Sequence, residues 1–239
     1  MDNCIVFCSQ ALNDVPESIA HALGDAFLVA VDGGLMHLEA IGLVPSVWVG
    51  DGDSLVKKKA GGKKPKIKPA SYLRVKLKEN KNYSDLEMAL HVAGKAFLDG
   101  TWDGNIAILG AQGGRFDHDV VNLLVVEQFL VDLAATVGAT NCPNVFSYGN
   151  HGTWCASIGF VDFKAASRQL FSVFSFDQQV KISISGAKYN LRSKVLDHAS
   201  RGLSNLGTGK TVRVSVVGKS PVFVTIPDEA FDDENYRGS

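Results

Sequence analysis

Four cysteines in 239 residues are too few for a disulfide scaffold. Cys4 and Cys8 fall in an apolar, strand-like run, where thiols behave as small hydrophobes. Reduced cysteines in a cytoplasmic protein are therefore expected. No apolar run approaches the roughly 18 residues that suggest a membrane span, so no membrane partner is predicted. The opening residues, MDNCIVFCSQ, carry an acid at position 2 and no basic stretch, and do not read as a signal peptide. A net charge of -1 excludes the wholesale basicity of a non-specific nucleic-acid binder. Neither a Walker A loop nor the dinucleotide fingerprint occurs, which counts against those enzyme classes. What remains is 46% hydrophobic and 21% charged, a globular composition that excludes disorder as the main state.

The chain has two textures. Over the first 135 or so residues, short β-rich runs alternate with helical ones. Ile5-Val6-Phe7, Phe27 to Val31, Val47-Trp48-Val49, Tyr72 to Val75 and Ile106 to Leu109 read as strands. Continuous apolar runs of this kind suit parallel strands covered on both faces. Leu86, Ala89, Leu90, Ala93 and Phe97 recur at three- and four-residue spacing, which predicts an amphipathic helix. Ser84 with Glu87 has the form of a capping box and marks its start. Asp117 to Leu133 predicts a second long helix with Val121, Leu124, Val125 and Phe129 on its apolar side. The alternation predicts a doubly wound α/β domain over residues 1–145. Over 146–239, Gln169 to Phe176, Val180 to Ser185, Thr211 to Val217 and Val222 to Ile226 are short strand-like runs. Gly186, Gly202, Gly207, Gly209 and Gly218 separate them, which predicts an antiparallel sandwich. Ala135 to Ser167 carries no clear pattern.

Chemistry is expected where apolar strands stop in Asp and Gly, because ligands of open α/β sheets bind beyond the carboxyl ends of the strands. One such strand ends in Asp32-Gly33-Gly34 and another in Gly50-Asp51-Gly52-Asp53-Ser54. Asp51 and Asp53 are two residues apart and point to one side of an extended segment. Carboxylates gathered there would repel one another without a cation, and Mg2+ prefers such hard oxygen ligands. The plainer role of each Asp-Gly pair is turn formation. Asp85 opens a capped helix, where it either serves a site or complements the helix dipole. Gly110-Ala111-Gln112-Gly113-Gly114-Arg115-Phe116-Asp117-His118 follows a strand and opens a helix. Its glycines let the backbone approach a phosphate, free N–H groups face it, and Arg115 offers a fork of donors. Asp117 is either part of this site or a helix cap. Lys57 to Lys81 holds ten lysines and one arginine against one acid, Glu79. It is read as a solvated loop, or as a source of attraction for polyphosphate that salt would screen. With only Tyr72 and Tyr83 interleaved, it is no convincing nucleic-acid site.

Taken in order, these segments resemble the thiamine pyrophosphokinase family. The resemblance rests on Val31-Asp32-Gly33-Gly34, Val49 to Leu55, Ser84 to Leu90, and Leu109-Gly110 through Gly113-Gly114-Arg115-Phe116-Asp117-His118. In the second half, Gly186-Ala187-Lys188-Tyr189-Asn190-Leu191 and Ser200-Arg201-Gly202-Leu203-Ser204-Asn205 are similar to two further family segments. The resemblance implies an N-terminal α/β domain, a C-terminal β-sandwich and a homodimer. It also implies transfer of the terminal diphosphate of ATP to the hydroxyl of thiamine, with release of AMP. Asp51, Asp53 and Asp85 would then hold Mg2+ on the polyphosphate, with Asp32 and Gly33 beside them. Asp53 or Asp85 would accept the hydroxyl proton. Gly113, Gly114, Arg115 and Asp117 would form the nucleotide side, and Ser204 and Asn205 would meet thiamine.

Several positions depart from the family pattern: Asn82 where an acid is common, Ser84 for Thr, Leu206 where many bacterial members have Glu, and Val224 near where some animal members have Trp. Two alternatives therefore stay open. One is diphosphate transfer to another heterocyclic alcohol, such as a hydroxymethylpterin. The other is a non-catalytic ATP- or thiamine-binding homologue.

Overall fold

The computed structural model describes residues 1–12, 15–51, 71–77, 83–149, 152–198 and 200–228. Asp53, Asn82 and most of the lysine-rich stretch lie outside the described residues. The chain divides into two compact units, Met1–Phe129 with Val145–Asn150, and Leu130–Asn144 with His151–Ser239.

The first unit is built on strands β1 (Cys4–Phe7), β2 (Phe27–Val31), β3 (Val47–Gly50), β4 (Leu73–Lys76), β5 (Ile106–Leu109) and β6 (Val145–Gly149). They pair in parallel in the order β6-β5-β1-β2-β3-β4. Every residue of β1, β2, β3 and β5 is buried, as continuous apolar runs in a doubly covered sheet require. The edge strand β4 is largely exposed. Ile5, Phe7, Leu28, Trp48 and Leu109 pack with Leu35 and Leu38 into one core. Burying each such side chain contributes roughly 1.5–3 kcal/mol. The boundary expected at 145/146 falls inside β6, after its first residue, and Val145 to Tyr148 pair with β5. The chain runs outward from β1 through β4, then returns to β5 on the other side of β1. The strand order therefore reverses between β1 and β5, the switch point at which open sheets bind ligands.

Helices α1 (Glu17–Ala22), α2 (Leu35–Ala40), α3 (Asp85–Leu98) and α4 (Phe116–Val137) complete the described helical segments. The expected capping box at α3 is present: Ser84 Oγ accepts the Glu87 N–H at 3.1 Å and Glu87 Oε2 accepts the Ser84 N–H at 3.4 Å. Leu86, Ala89, Leu90 and Ala93 form its buried face.

On α4 the expected apolar side is corrected. Val126, Leu130 and Leu133 are buried, whereas Val121 and Leu124 are 47% and 45% exposed. The helix is apolar nearly all round from Val120 to Leu133, so spacing alone does not select a face. For the same reason this helix, formed of 22 residues, is long and apolar enough to cross a membrane by length and composition. That corrects the expectation that no such stretch exists. A helix with one buried face in a protein interior reaches the same length and composition.

The second unit holds two four-stranded antiparallel sheets. One orders β12 (Asn205–Leu206), β9 (Leu170–Phe174), β14 (Val222–Pro227) and β7 (Gly152–Ser157). The other orders β11 (Leu191–Val195), β10 (Lys181–Ser185), β13 (Thr211–Val217) and β8 (Phe160–Lys164). Val212, Val214 and Val216 alternate inward along β13. Phe163 of β8 meets Phe171 of β9 edge-on, with ring centroids 5.3 Å apart, and this contact joins the two sheets of the sandwich. The fold is thus a parallel α/β unit with an antiparallel sandwich, as expected. Strands β7 and β8 fill the stretch that had no clear pattern.

Candidate active site

Beyond the carboxyl ends of β1, β2 and β5 lies a groove of about 360 Å³. It is lined by Cys8 to Gln10 after β1, Val31 and Asp32 at β2, and Ser84 to Leu86 at the start of α3. Gly110, Ala111, Gly114 and Arg115 after β5 face them, with His118, Asp119 and Asn122 on α4.

Asp32 is held here by backbone and side chain together. It opens a 3₁₀ turn, Asp32–Gly34, with φ +45, a left-handed value uncommon for a non-glycine residue. Trp48 Nε1 donates to the Asp32 carbonyl at 3.1 Å. The Asp32 carboxylate lies over Gly50, where a Cβ would stand only 1.9 Å from Oδ1. Ser9 Oγ accepts the Gly33 N–H at 3.0 Å and donates to the Val31 carbonyl at 3.4 Å, tying the β1 and β2 ends together. Burial, and then the Asp32 charge, push the Cys8 thiol up to about 12. Cys8 is therefore a neutral wall of the groove and no nucleophile.

On the far side, Gly110 and Gly113 take φ values of +70 and +84. Asn122 Nδ2 donates to the Ala111 carbonyl at 2.9 Å, and the Gly113 N–H donates to Asp119 Oδ2 at 3.3 Å. Arg115 Nε donates to Asp117 Oδ1 at 3.0 Å, and its Nη2 to Asp117 Oδ2. The guanidinium hydrogen bond holds the Asp117 carboxyl below its ordinary range. The pair is exposed and adds little to stability.

Asp32, Asp85, Gly114 and Arg115 thus meet in one groove. Gly33 and Gly113 adjoin it, with their N–H groups bonded to Ser9 and Asp119. Asp51 directly follows β3, is half-buried and does not line the groove. Asp53 is outside the described residues. Among those described, no three His, Cys, Asp or Glu side chains gather as a metal cluster.

Ser204 and Asn205 belong to the second unit. Ser204 has φ +58 and is exposed. Asn205 is buried: its Oδ1 accepts the Tyr189 and Leu206 N–H groups at 3.1 and 2.8 Å, and its Nδ2 donates to the Tyr189 carbonyl at 2.7 Å.

Ser9, Gln10, Asp119 and Asn122 line the groove without having been singled out from the sequence. A signal for them exists. Ser9 and Gln10 come just after an apolar strand, and His118, Asp119 and Asn122 form a polar stripe at spacings of three and four in the first turns of an apolar helix, next to Arg115 just before it.

The parallel α/β unit thus carries an acid-and-glycine groove at its switch point, the place where open sheets bind ligands. Residues 21–136 match the family described as thiamin pyrophosphokinase, catalytic domain. Among solved structures, thiamine pyrophosphokinase from Bacillus subtilis is 18% identical with a TM-score of 0.68, over 95% of this chain and 100% of that one. The enzyme from Geobacillus thermodenitrificans is 21% identical with a TM-score of 0.69, covering 96% and 99%. That from Candida albicans is 14% identical with a TM-score of 0.67, covering 95% and 90%. At these identities the likeness is one of fold. No curated protein matches the chain by sequence.

Proposed function

We propose that the chain is an ATP-dependent thiamine diphosphokinase, acting in the cytoplasm as a homodimer. It would transfer the diphosphate of ATP to the hydroxyl of thiamine and release AMP. The family match over residues 21–136 supports this, and so does the groove that brings Asp32 and Asp85 opposite Gly114 and Arg115. Phosphoryl centres ringed by anionic oxygens need charge compensation and in-line positioning more than covalent help. Arg115 would leave its exposed partner Asp117 to bind phosphate oxygens, for which its planar fork is suited. Gly113 and Gly114 would allow the nucleotide to approach the backbone closely.

The donor set fits Mg2+. Asp32 and Asp85 supply hard carboxylate oxygens, and the one sulfur in the groove is the protonated Cys8. Mg2+ is commonly held by one or two carboxylates plus substrate phosphates, so a preformed cluster of three acids is not required. Asp51 and Asp53 would complete the set on the β3 side, and the ion would neutralise polyphosphate charge. Asp53 or Asp85 would accept the proton of the attacking hydroxyl. Ser204 would meet thiamine, with Asn205 shaping that turn through its bonds to Tyr189 and Leu206.

Purified protein with ATP, Mg2+ and thiamine should yield AMP and thiamine diphosphate in equal amounts. Asp85→Asn should lower the rate by about 10²-fold or more. ATP bound but neither product formed would overturn the proposal, and a hydroxymethylpterin would be tried as the acceptor.

A further inference from the structure

The Gly110–Gly114 segment is held from behind by a side chain that does not face the groove. Gln112 Nε2 donates to Ser147 Oγ at 2.7 Å. Ser147 is fully buried in β6, opposite Ile108 of β5, where a hydroxyl needs a partner. Two residues on, a Cβ at Gly149 would stand 2.7 Å from Gln112 Cβ and 3.1 Å from its Cδ. Strand β6 thus gives both a serine and a glycine to the seating of one glutamine. The neighbours Gly110, Ala111 and Gly114 line the groove, and Gln112 does not.

We propose that Gln112 is a positioning residue, which with Ser147 fixes this segment in the shape that receives the nucleotide phosphates. The proposal rests on the nucleotide reading of the groove given above. Three of the five residues from Gly110 to Gly114 are glycines, two of them in left-handed backbone conformations. Such a glycine-rich segment loses more backbone freedom on ordering than one without glycines. The amide of Gln112 removes part of that freedom before the nucleotide arrives, alongside Asn122 at Ala111 and Asp119 at Gly113. Preorganisation of this kind acts on affinity. Its loss should raise the dissociation constant and KM for ATP, and leave kcat and the KM for the acceptor near their original values.

The test is ATP binding by titration calorimetry with Mg2+ present, together with steady-state kinetics. Gln112→Met keeps the length and loses the amide, and should raise the Kd for ATP about five- to tenfold. Gln112→Asn cannot reach Ser147 and should behave alike, which guards against a folding failure of the first variant. Gln112→Glu could accept a hydrogen bond from the Ser147 hydroxyl but adds a charge that repels the phosphates, and should weaken ATP binding at least as much as Gln112→Met. Ser147→Ala should match Gln112→Met, and the double variant should be no worse than either single one, because both remove the same bond. An unchanged Kd in Gln112→Met, a fall in kcat at constant KM, or additive losses would overturn the proposal. Wild-type protein that fails to bind ATP would instead overturn the nucleotide reading, and the proposal with it.

Discussion

Gly50→Ala places one methyl group against the carboxylate at the centre of the groove. The new Cβ would lie 1.9 Å from Asp32 Oδ1, 2.8 Å from its Cγ and 3.1 Å from Trp48 Cζ2. Ordinary contact needs well over 3 Å, so the carboxylate must retreat by about 1 Å, a misplacement that costs on the order of 10²-fold in rate. Escape is restricted. Asp32 is buried, its backbone is left-handed, and its carbonyl is tied to the Trp48 indole. Overpacking at such a site should also cost about 1–3 kcal/mol of stability. Gly24→Ala is the matched control: a Cβ there meets nothing within 4 Å and the glycine has no left-handed φ. That substitution should be neutral, or stabilise by about 0.4–1 kcal/mol through the unfolded chain. Urea unfolding and the rate of AMP formation from ATP and thiamine would be measured on both. A Gly50→Ala protein with wild-type rate and midpoint, or a Gly24→Ala protein harmed as much, would refute the placement of Asp32.

Ser84→Ala removes the N-cap of α3 and should lower stability by about 1 kcal/mol in urea unfolding, with a loss of activity because Asp85 opens the same turn. Trp48→Phe loses the indole bond to the Asp32 carbonyl and should cost about 0.5–1.5 kcal/mol, read the same way. Burial pushes the Cys8 and Cys155 thiols up to about 12 from 9.0, so native protein should react slowly with a thiol reagent at pH 8 and rapidly once unfolded. Because these folded values lie above the unfolded ones, the associated stability is complete below pH 9 and is lost as pH rises toward 12. Arg115 lowers the Asp117 carboxyl, so the pair's small contribution is present above the ordinary carboxylate value and lost as pH falls through the lowered one. Arg115→Ala should return the Asp117 titration, followed by NMR, upward, and should weaken ATP binding with little change in Tm.

The parallel sheet was legible because its strands are short unbroken apolar runs, and the start of α3 because Ser84 and Glu87 stand at capping-box spacing. Strands ending in acids led to Asp32, and the glycine run before Arg115 led to the opposite wall. Helix α4 shows where such reasoning stops. With apolar residues on nearly every side from Val120 to Leu133, its buried face is set by the elements it packs against, which spacing does not encode. Strand β6 was obscured for a related reason: its register with β5 buries Ser147, a polar residue tolerated only because Gln112 reaches it from 35 positions away in sequence. A still longer separation in sequence hides Gln10, whose N–H donates to the Gly110 carbonyl at 3.0 Å across the switch point. The tyrosine-backbone bonds of Asn205 are likewise invisible in a local motif.

The central claim is that both terminal phosphates of ATP leave together for thiamine. Incubation with Mg2+, thiamine and ATP labelled at the β-phosphorus tests it most directly. The label should appear in thiamine diphosphate, one equivalent for each AMP released, and Asp85→Asn should suppress both. Label recovered in ADP or in free inorganic phosphate, with thiamine unchanged, would contradict the account.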